Sequence, residues 1–453
     1  MSFSAPALVA AIDLGTTFSG YAYSLRSAFD ENPLKINTNY WCNEYMGLLS
    51  LQTPSVVLLK PNKTFHAFGY EAENKYASLA EDSEHMEWFY FKRFKMTVCQ
   101  NKSLRRTTII KDANGKEMPA KTIFTMAIKY LKDHLMGILN SHGAEITEDL
   151  ILWVLTVPAI WNEVAKEVMT EAAAEAGILS KQLLLVSEPE AATNYCSHIL
   201  MEPMSDSEER NENNFFEPGT QYMVLDLGGT CVTTVLKVQS DHSLRKVHHV
   251  TDVAWGGTKV DDAFYQFLAN LFGNDVLSTL RDENMDDYIT LFREFEVKKL
   301  TIKPDLENKV IIKLPLRLLE IFQEQSEKTL AEALPQTRFA KTVELRMNKL
   351  RIYPEISKEF FSQTLQGIIQ HTTEIMQSFQ GESVSKILLV GGFSESPMVL
   401  KAITESFPNK TVIAPADPEL TVLKGAVLCG HTPNTVSYRF IRTSTAVSSG
   451  IGM

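Results

Sequence analysis

The chain has 453 residues and a formal net charge of -11, with 44% hydrophobic and 22% charged residues. That length exceeds what one hydrophobic core keeps filling, so two or more lobes are expected. The acidic balance, with no basic run to offset it, argues against nucleic acid as the main partner. Five cysteines, Cys42, Cys99, Cys196, Cys231 and Cys429, are scattered and form no Cys-x-x-Cys pair. They indicate neither a zinc site nor a disulfide framework, and a reducing compartment is the simple inference. The apolar run at residues 5–12 has no preceding Lys or Arg, so it reads as the first strand rather than a secretion signal. No uncharged apolar run is long enough to span a bilayer.

Residues 9–23 set the pattern. An apolar run ends on Asp13-Leu14; Gly15, Thr16 and Thr17 follow, and a second apolar and aromatic run begins. This reads as strand, tight turn, strand. Gly15 lets the turn approach a ligand closely. The hydroxyl and N–H groups of Thr16 and Thr17 suit phosphate oxygens, and Asp13 suits a hydrated Mg²⁺. Short β-like runs at 55–59 and 64–68, set between turns at Pro54, Pro61-Asn62 and Gly69, read as an extension of the same sheet. Residues 88–96 are aromatic and carry Lys92, Arg93 and Lys95. Such cations usually snorkel to solvent; the functional alternative aims one lysine at phosphate.

Residues 122–139 carry apolar side chains at helical spacing. Residues 151–157 form a buried strand stopped by Pro158. Asn162 caps an Ala-rich helix that Gly177 ends. A strand at 183–186, closed by Ser187-Glu188-Pro189, and a helix at 191–200 complete the alternation of an α/β lobe. Residues 204–219 have almost no aliphatic side chains and read as a mobile surface loop joining the lobes.

The opening pattern then recurs. Residues 222–230 again run apolar strand, Asp226, Leu227, Gly228, Gly229, Thr230, and 232–238 reads as the returning strand. One copy alone is an ordinary hairpin; two copies predict similar lobes facing one ligand. Gly256-Gly257 opens a helix whose N-terminus can face an anion. Residues 288–300 make a helix ending in Lys298-Lys299, where basic residues complement the dipole, and 355–376 make another. Residues 386–390 form a buried strand entering Gly391-Gly392, while Ser396-Pro397 and Asp417-Pro418-Glu419 read as helix starts. Strand ends that feed helix starts are where α/β proteins bind ligands. The third glycine of a dinucleotide fingerprint is missing, and there is no Gly-Lys-Ser/Thr phosphate loop.

With these residues assembled, the chain from about residue 8 to about residue 432 resembles the nucleotide-binding domain of the seventy-kilodalton heat-shock protein family (DnaK-like), nearest its divergent member-twelve branch. Asp13-Leu14-Gly15-Thr16-Thr17, Thr156-Val157-Pro158-Ala159, Glu188-Pro189-Glu190-Ala191-Ala192, Asp226-Leu227-Gly228-Gly229, Val390-Gly391-Gly392-Phe393 and Leu423-Lys424-Gly425-Ala426-Val427 carry the resemblance. It implies an α/β, actin-like ATPase fold, two duplicated lobes around a central cleft for ATP or ADP with Mg²⁺. Lobe I is expected at 1–200, an acidic mobile loop at 201–219, lobe II at 220–410, and a terminal helix returning to lobe I at 411–435. A truncated start of a peptide-binding region is expected at 436–453.

Residue by residue, the resemblance implies that Asp13 and Asp226 hold the hydrated metal and that Lys92 orients the attacking water. Glu188 falls near the metal shell. Gly15, Thr16, Thr17, Gly228, Gly229, Thr230, Gly256 and Gly257 fall at the phosphates. Lys298, Gly391, Gly392 and Glu419 fall at the nucleoside. Three departures stand out. Thr233 falls, without a gap, where the family places a further metal-side Asp. Glu395 falls where many members carry an Arg against adenine. Lys166 replaces an Arg that couples the lobes, losing its bidentate fork.

Two functions follow: a slow Mg-ATPase of chaperone type whose lobes close on nucleotide, or a nucleotide-sensing adaptor that hydrolyses little. A sugar or metabolite kinase of the same superfamily is the third, with no added substrate domain to favour it. The implied partners are nucleotide and co-chaperones or signalling proteins, with no nucleic acid and no membrane span. The implied location is cytoplasmic, and also nuclear.

Overall fold

The computed structural model describes residues 6–43, 48–100, 104–141, 143, 146–201, 217–240, 244–247, 251–378 and 384–433. Most of the expected loop at 204–219 and all of 436–453 lie outside the described residues.

The first sheet contains β1 (Leu8–Leu14), β2 (Phe18–Leu25), β3 (Asn37–Thr38), β4 (Ile151–Val157) and β5 (Leu183–Ser187), in the order β5-β4-β1-β2-β3. β1 runs parallel to β4 and antiparallel to β2, and β4 runs parallel to β5. The second sheet contains β6 (Gln221–Leu227), β7 (Cys231–Val238), β8 (Leu244–Lys246), β9 (Lys386–Val390) and β10 (Thr411–Ile413). Its order, β10-β9-β6-β7-β8, repeats the first strand for strand, with β6 parallel to β9 and antiparallel to β7. The duplicated Asp-Leu-Gly motif thus marks a duplicated topology.

Both inner strands, β1 and β6, read as apolar runs up to Asp13 and Asp226, at 8–12 and 222–225, because both of their faces are covered. Leu8, Ala10, Ile12 and Leu14 pack outward with Phe124 and Leu131. Val9 and Ala11 pack on the other face, in a core shared with Tyr222, Val224, Leu388 and Val390 of the second sheet.

Five helices matter to the site: α1 (Gly69–Glu81), α2 (Glu188–Met201), α3 (Gly257–Phe272), α4 (Met285–Lys299) and α5 (Thr421–His431). α2 and α5 lie between the two sheets, contributing Ala191, Ala192, Leu423, Ala426 and Val427 to the shared core. Asn162 caps Glu163–Glu175 as expected, its side chain accepting from the Ala165 N–H at 3.0 Å. α2 starts earlier than expected, at Glu188, because Pro189 sits in the first turn, where no N–H is missed. α5 starts later, at Thr421. Residues 417–420 form a separate turn, with the Leu420 N–H on the Asp417 carbonyl and the Lys424 ammonium on the Asp417 carboxylate.

The expected extension of the first sheet does not form. Only Thr53–Pro54 joins β2, at Phe18↔Pro54. Val56–Leu59 instead sits between Phe65–Phe68 and Phe89–Lys92 in a separate three-stranded sheet. With both edges taken by those partners, it has none left for β2.

Gly425 is where α5 crosses α2, and a Cβ there would overlap the Ala191 carbonyl oxygen. Gly425→Ala is expected to destabilise the protein by about 1–3 kcal/mol through overpacking, read as a fall of several degrees in Tm.

At the end of α5, His431 is buried and stacks on Phe29 with 4.2 Å between ring centroids. Burial first, then the Arg26 guanidinium, pushes its imidazole down to about 4. The unfolded chain takes up this proton near pH 6.5 and the folded chain only near pH 4. The contribution is therefore full above about pH 6.5 and is lost as the pH falls toward 4. His431→Phe, which keeps the stack, is expected to show a shallower fall in Tm between about pH 7 and pH 4.5 than the wild type.

Candidate functional site

The two Asp-Leu-Gly turns abut. A Cβ on Gly229 would stand 2.6 Å from Thr17 Oγ1 and 3.5 Å from Thr16 Cγ2, so glycine is required there for the approach. Ser55 ties the first turn: its N–H donates to the Thr17 carbonyl at 2.9 Å and its hydroxyl to the Gly15 carbonyl at 2.7 Å. A Cβ on Gly15 would overlap the Phe18 carbonyl oxygen. In the second turn, the Gly228 N–H donates to the Thr230 carbonyl at 3.0 Å. Thr258 Oγ1 donates to the Gly229 carbonyl at 2.6 Å. A Cβ on Gly256 would lie 2.5 Å from that same oxygen. The Gly257 N–H donates to the Gly228 carbonyl at 2.9 Å. The start of α3 therefore braces the second turn through that N–H. Thr17 Oγ1 is buried and has no hydrogen-bond partner among the described residues.

Charge is concentrated at the ends of three neighbouring strands. Asp13, next to last in β1, accepts from Thr156 Oγ1 of β4 at 2.5 Å. Glu188 follows β5, and its Oε1 lies 2.6 Å from Lys95 Nζ, both side chains being buried. Burial raises the Asp13 carboxyl above the usual range; the Lys95 ammonium opposes that and the Glu188 carboxylate adds to it.

The lysine in this cluster is Lys95, which corrects the expectation for Lys92. Lys92 ends the strand Phe89–Lys92; its side chain is 41% exposed and its ammonium lies 3.6 Å from Glu73 Oε1. Arg93 follows with φ 53°, and this left-handed residue turns the chain into the helix Phe94–Gln100, which carries Lys95 inward. Of the three cations in this run, the buried one is the one at the carboxylates.

The second turn is one residue shorter than the first: Leu14↔Ser19 closes residues 15–18, whereas Leu227↔Cys231 closes 228–230. Asp226 therefore faces Val232 across the ladder, and Thr233 faces Leu225. Directly opposed residues share a face. Thr233 is 0% exposed and lies with Cys231, 3.6 Å from its Sγ, on the core side. It does not stand beside Asp226, and the expectation for it fails for that reason; Val232 is the residue alongside.

Gly391, with φ 84°, flanks Asp226: a Cβ there would lie 2.5 Å from Asp226 Oδ1. Its N–H donates to the Pro418 carbonyl at 2.9 Å, and a Cβ on Gly392 would meet Glu419 Cβ at 3.8 Å. Gly391, Gly392 and Glu419 are thus brought together with Asp226. Lys298 lies in the last turn of α4, but it is Lys299 whose ammonium reaches the Gly257 carbonyl at 3.4 Å and Asp261 at 2.6 Å. Lys166 pairs with Glu163 on its own helix at 2.9 Å. The lobe-to-lobe contact near Pro158 is made instead by Lys246, whose ammonium donates to the Ala159 carbonyl at 3.3 Å.

The mouth of the cleft is bridged by contacts the sequence did not suggest. Arg293 of α4 donates to Glu73 Oε2 of α1 from Nε at 2.9 Å and Nη2 at 2.6 Å, and Nη1 donates to Asn74 at 3.1 Å. Ile289 packs beside them with Ala72 and Tyr76. Arg93 adds an ion pair to Asp261 of α3 at 3.2 Å.

Among the described residues, no three His, Cys, Asp or Glu side chains cluster as a ready metal site. The donors at the strand ends, Asp13, Glu188 and Asp226, are hard oxygens of the kind that hold Mg²⁺ through its water shell. The orphaned Thr17 hydroxyl and the Cβ-free cradle at Gly229 fit a polar ligand with acceptor oxygens.

This arrangement has counterparts in known proteins. The family model described as Hsp70 protein matches residues 52–438. The chain belongs to the Hsp70 family. It is similar to heat shock 70 kDa protein 12B of Homo sapiens, 32% identical over 95% of this chain and 70% of that protein. It is similar to heat shock 70 kDa protein 12A of Mus musculus, 31% identical with the same coverage. Chaperone protein DnaK of Picrophilus torridus is 23% identical over 71% of this chain and 46% of its own length. The two matching sheets are the duplicated lobes of the actin-like ATPase fold that the Hsp70 family shares. No helix among the described residues is long and apolar enough to cross a membrane.

Thr233→Asp is expected to bury a carboxylate in the core of lobe II rather than add one to the site. Thermal unfolding should show a clearly lower Tm, with no gain in any metal-dependent activity per folded molecule.

Proposed function

We propose that this chain is a nucleotide-binding domain of the chaperone type that takes Mg-ATP and hydrolyses it slowly, its lobes closing on the nucleotide. One observation carries the reading: the Thr16-Thr17 turn meets Gly229 directly beside the buried cluster of Asp13, Thr156, Lys95 and Glu188. Phosphoryl transfer depends mainly on positioning and on charge aimed where charge develops. In this reading Thr16, Thr17, Gly228, Gly229 and Thr230 seat the phosphates. Asp13, Asp226 and Glu188 would hold hydrated Mg²⁺, which when bound neutralises phosphate charge. Lys95, held by Glu188, places its ammonium against the transferring group and orients the attacking water. Gly391, Gly392 and Glu419 border the nucleoside.

The second reading, a nucleotide-sensing adaptor with little hydrolysis, is favoured by Val232. An apolar side chain faces Asp226 where a further carboxylate would share its load. Both readings place the protein in the cytoplasm, and also the nucleus, with co-chaperones or signalling proteins as partners.

The test is phosphate release from ATP and Mg²⁺, with binding measured in parallel. Lys95→Ala is expected to lower turnover on the order of a hundredfold or more while ATP still binds, and Lys92→Ala to leave it within about threefold. Equal release from wild type and Lys95→Ala would refute hydrolysis by this cluster. Tight binding with no release from the wild type would select the adaptor.

A further inference from the structure

Lobe II carries a three-stranded sheet besides its share of the duplicated pair: Val310–Lys313, Lys349–Ile352 and Val343–Arg346, with Lys349–Ile352 in the centre. Its inner face, including Val310, Ile312 and Leu350, packs into the same core as Leu291 and Phe295 of α4. On the outer face Lys349 stands directly opposite Lys313 on one side and Arg346 on the other. All three side chains are exposed, and none forms an ion pair with a described residue. Glu344, two residues along, is taken by Lys309 at 2.6 Å and Arg351 at 3.7 Å. Glu294 accepts from the Lys313 backbone N–H at 2.9 Å. Like charges set directly opposite in a ladder cost stability. Lysine on an edge strand deters edge-to-edge pairing, but Lys349 lies in the central strand, where that role does not exist. A chain of net charge -11 thus gathers three cations where one carboxylate would relieve them.

The loop at the end of this row is also costly. Met347 and Asn348 join the two strands, and Met347 has φ 55°. A two-residue hairpin loop with a left-handed first residue takes glycine by preference. Here it presents a methionine that is 91% exposed. The turn is fixed to the neighbouring strand's end: the Leu314 N–H donates to the Asn348 carbonyl at 2.7 Å, and Asn348 Nδ2 donates to the Leu314 carbonyl at 3.0 Å. Leu316, two residues on, is 65% exposed. Two large apolar side chains therefore stand at the end of the sheet that holds the three cations.

A row of cations alone fits any polyanion. Apolar side chains at its end fit a surface with anionic groups outside and hydrocarbon beneath, which is the layering of a lipid leaflet. We propose that the hairpin at 343–352 docks this chain onto anionic lipid membranes, Met347 entering between headgroups while Lys313, Arg346 and Lys349 hold their charges. The contact is peripheral and uses none of the residues assigned to nucleotide, so it stands or falls apart from the nucleotide-binding reading.

The full chain is floated with vesicles of phosphatidylcholine alone and of equimolar phosphatidylcholine and phosphatidylserine. The wild type is expected to float with the mixed vesicles, less so as salt is raised, and not with the neutral ones. Arg346→Gln combined with Lys349→Gln should weaken partitioning about 25-fold, about fivefold for each cation. Met347→Gly should weaken it about tenfold. The first change removes opposed like charges and the second puts glycine at a left-handed position, so neither is expected to lower Tm and unfolding does not imitate the loss. A wild type that stays behind, floats equally with neutral vesicles, or is matched in flotation by either variant would overturn the assignment. Binding of a poly-glutamate peptide by wild type and Met347→Gly alike, with no flotation, would overturn it in favour of an acidic protein partner.

Discussion

The spacing of the two sheets is set where α5 crosses α2. At Gly425 the absence of a side chain lets one helix rest on the Ala191 carbonyl of the other. Both helices are then thin enough, with Ala191, Ala192 and Ala426 at the contact, to share one core with both sheets. That spacing brings the carboxyl ends of β1 and β6 together. At Gly229 the rule repeats: the backbone of one turn reaches the Thr17 hydroxyl of the other because nothing projects between them. A fold with larger residues at these positions would keep both hairpins and lose their meeting point.

Within that meeting point the electrostatics are those of a low-dielectric site. Asp13, Glu188 and Lys95 are all buried, and each is satisfied by a neighbour from a different element: Thr156 on Asp13, and Lys95 on Glu188. Burying an isolated charge is costly, whereas a paired and hydrogen-bonded one is tolerated. The arrangement holds the carboxylates in place before any ligand arrives, which is what a site working by preorganised charge requires.

Much of the architecture was legible in the sequence. Apolar runs at 8–12 and 222–225 announce strands covered on both faces, and the repeated Asp-Leu-Gly announces the duplication. What escaped depended on single-residue events. Lys92 and Lys95 look equivalent in a run with three cations; the choice between them is made by one left-handed residue, Arg93, which no local pattern signals. Thr233 was placed one position out because the second turn is one residue shorter, and a one-residue slip moves a side chain to the other face. Ser55 lies far from Gly15 in the chain, and its role exists only once the strand after Pro54 leaves the first sheet. The helix-to-helix contact of Glu73 and Arg293 is likewise a product of tertiary structure alone.

That contact ties the two rims of the cleft together. The Glu73 and Arg293 side chains are 4% and 9% exposed, so parting the rims means rehydrating both ions. Removing one partner of such a pair costs about 3–5 kcal/mol, because the other charge is left buried and unpaired. Dissolved ions screen exposed charges but reach buried ones poorly. The rims are thus held by a catch that ordinary changes in ionic strength leave engaged, and the group suited to release it is one that offers Arg293 or Glu73 a replacement partner.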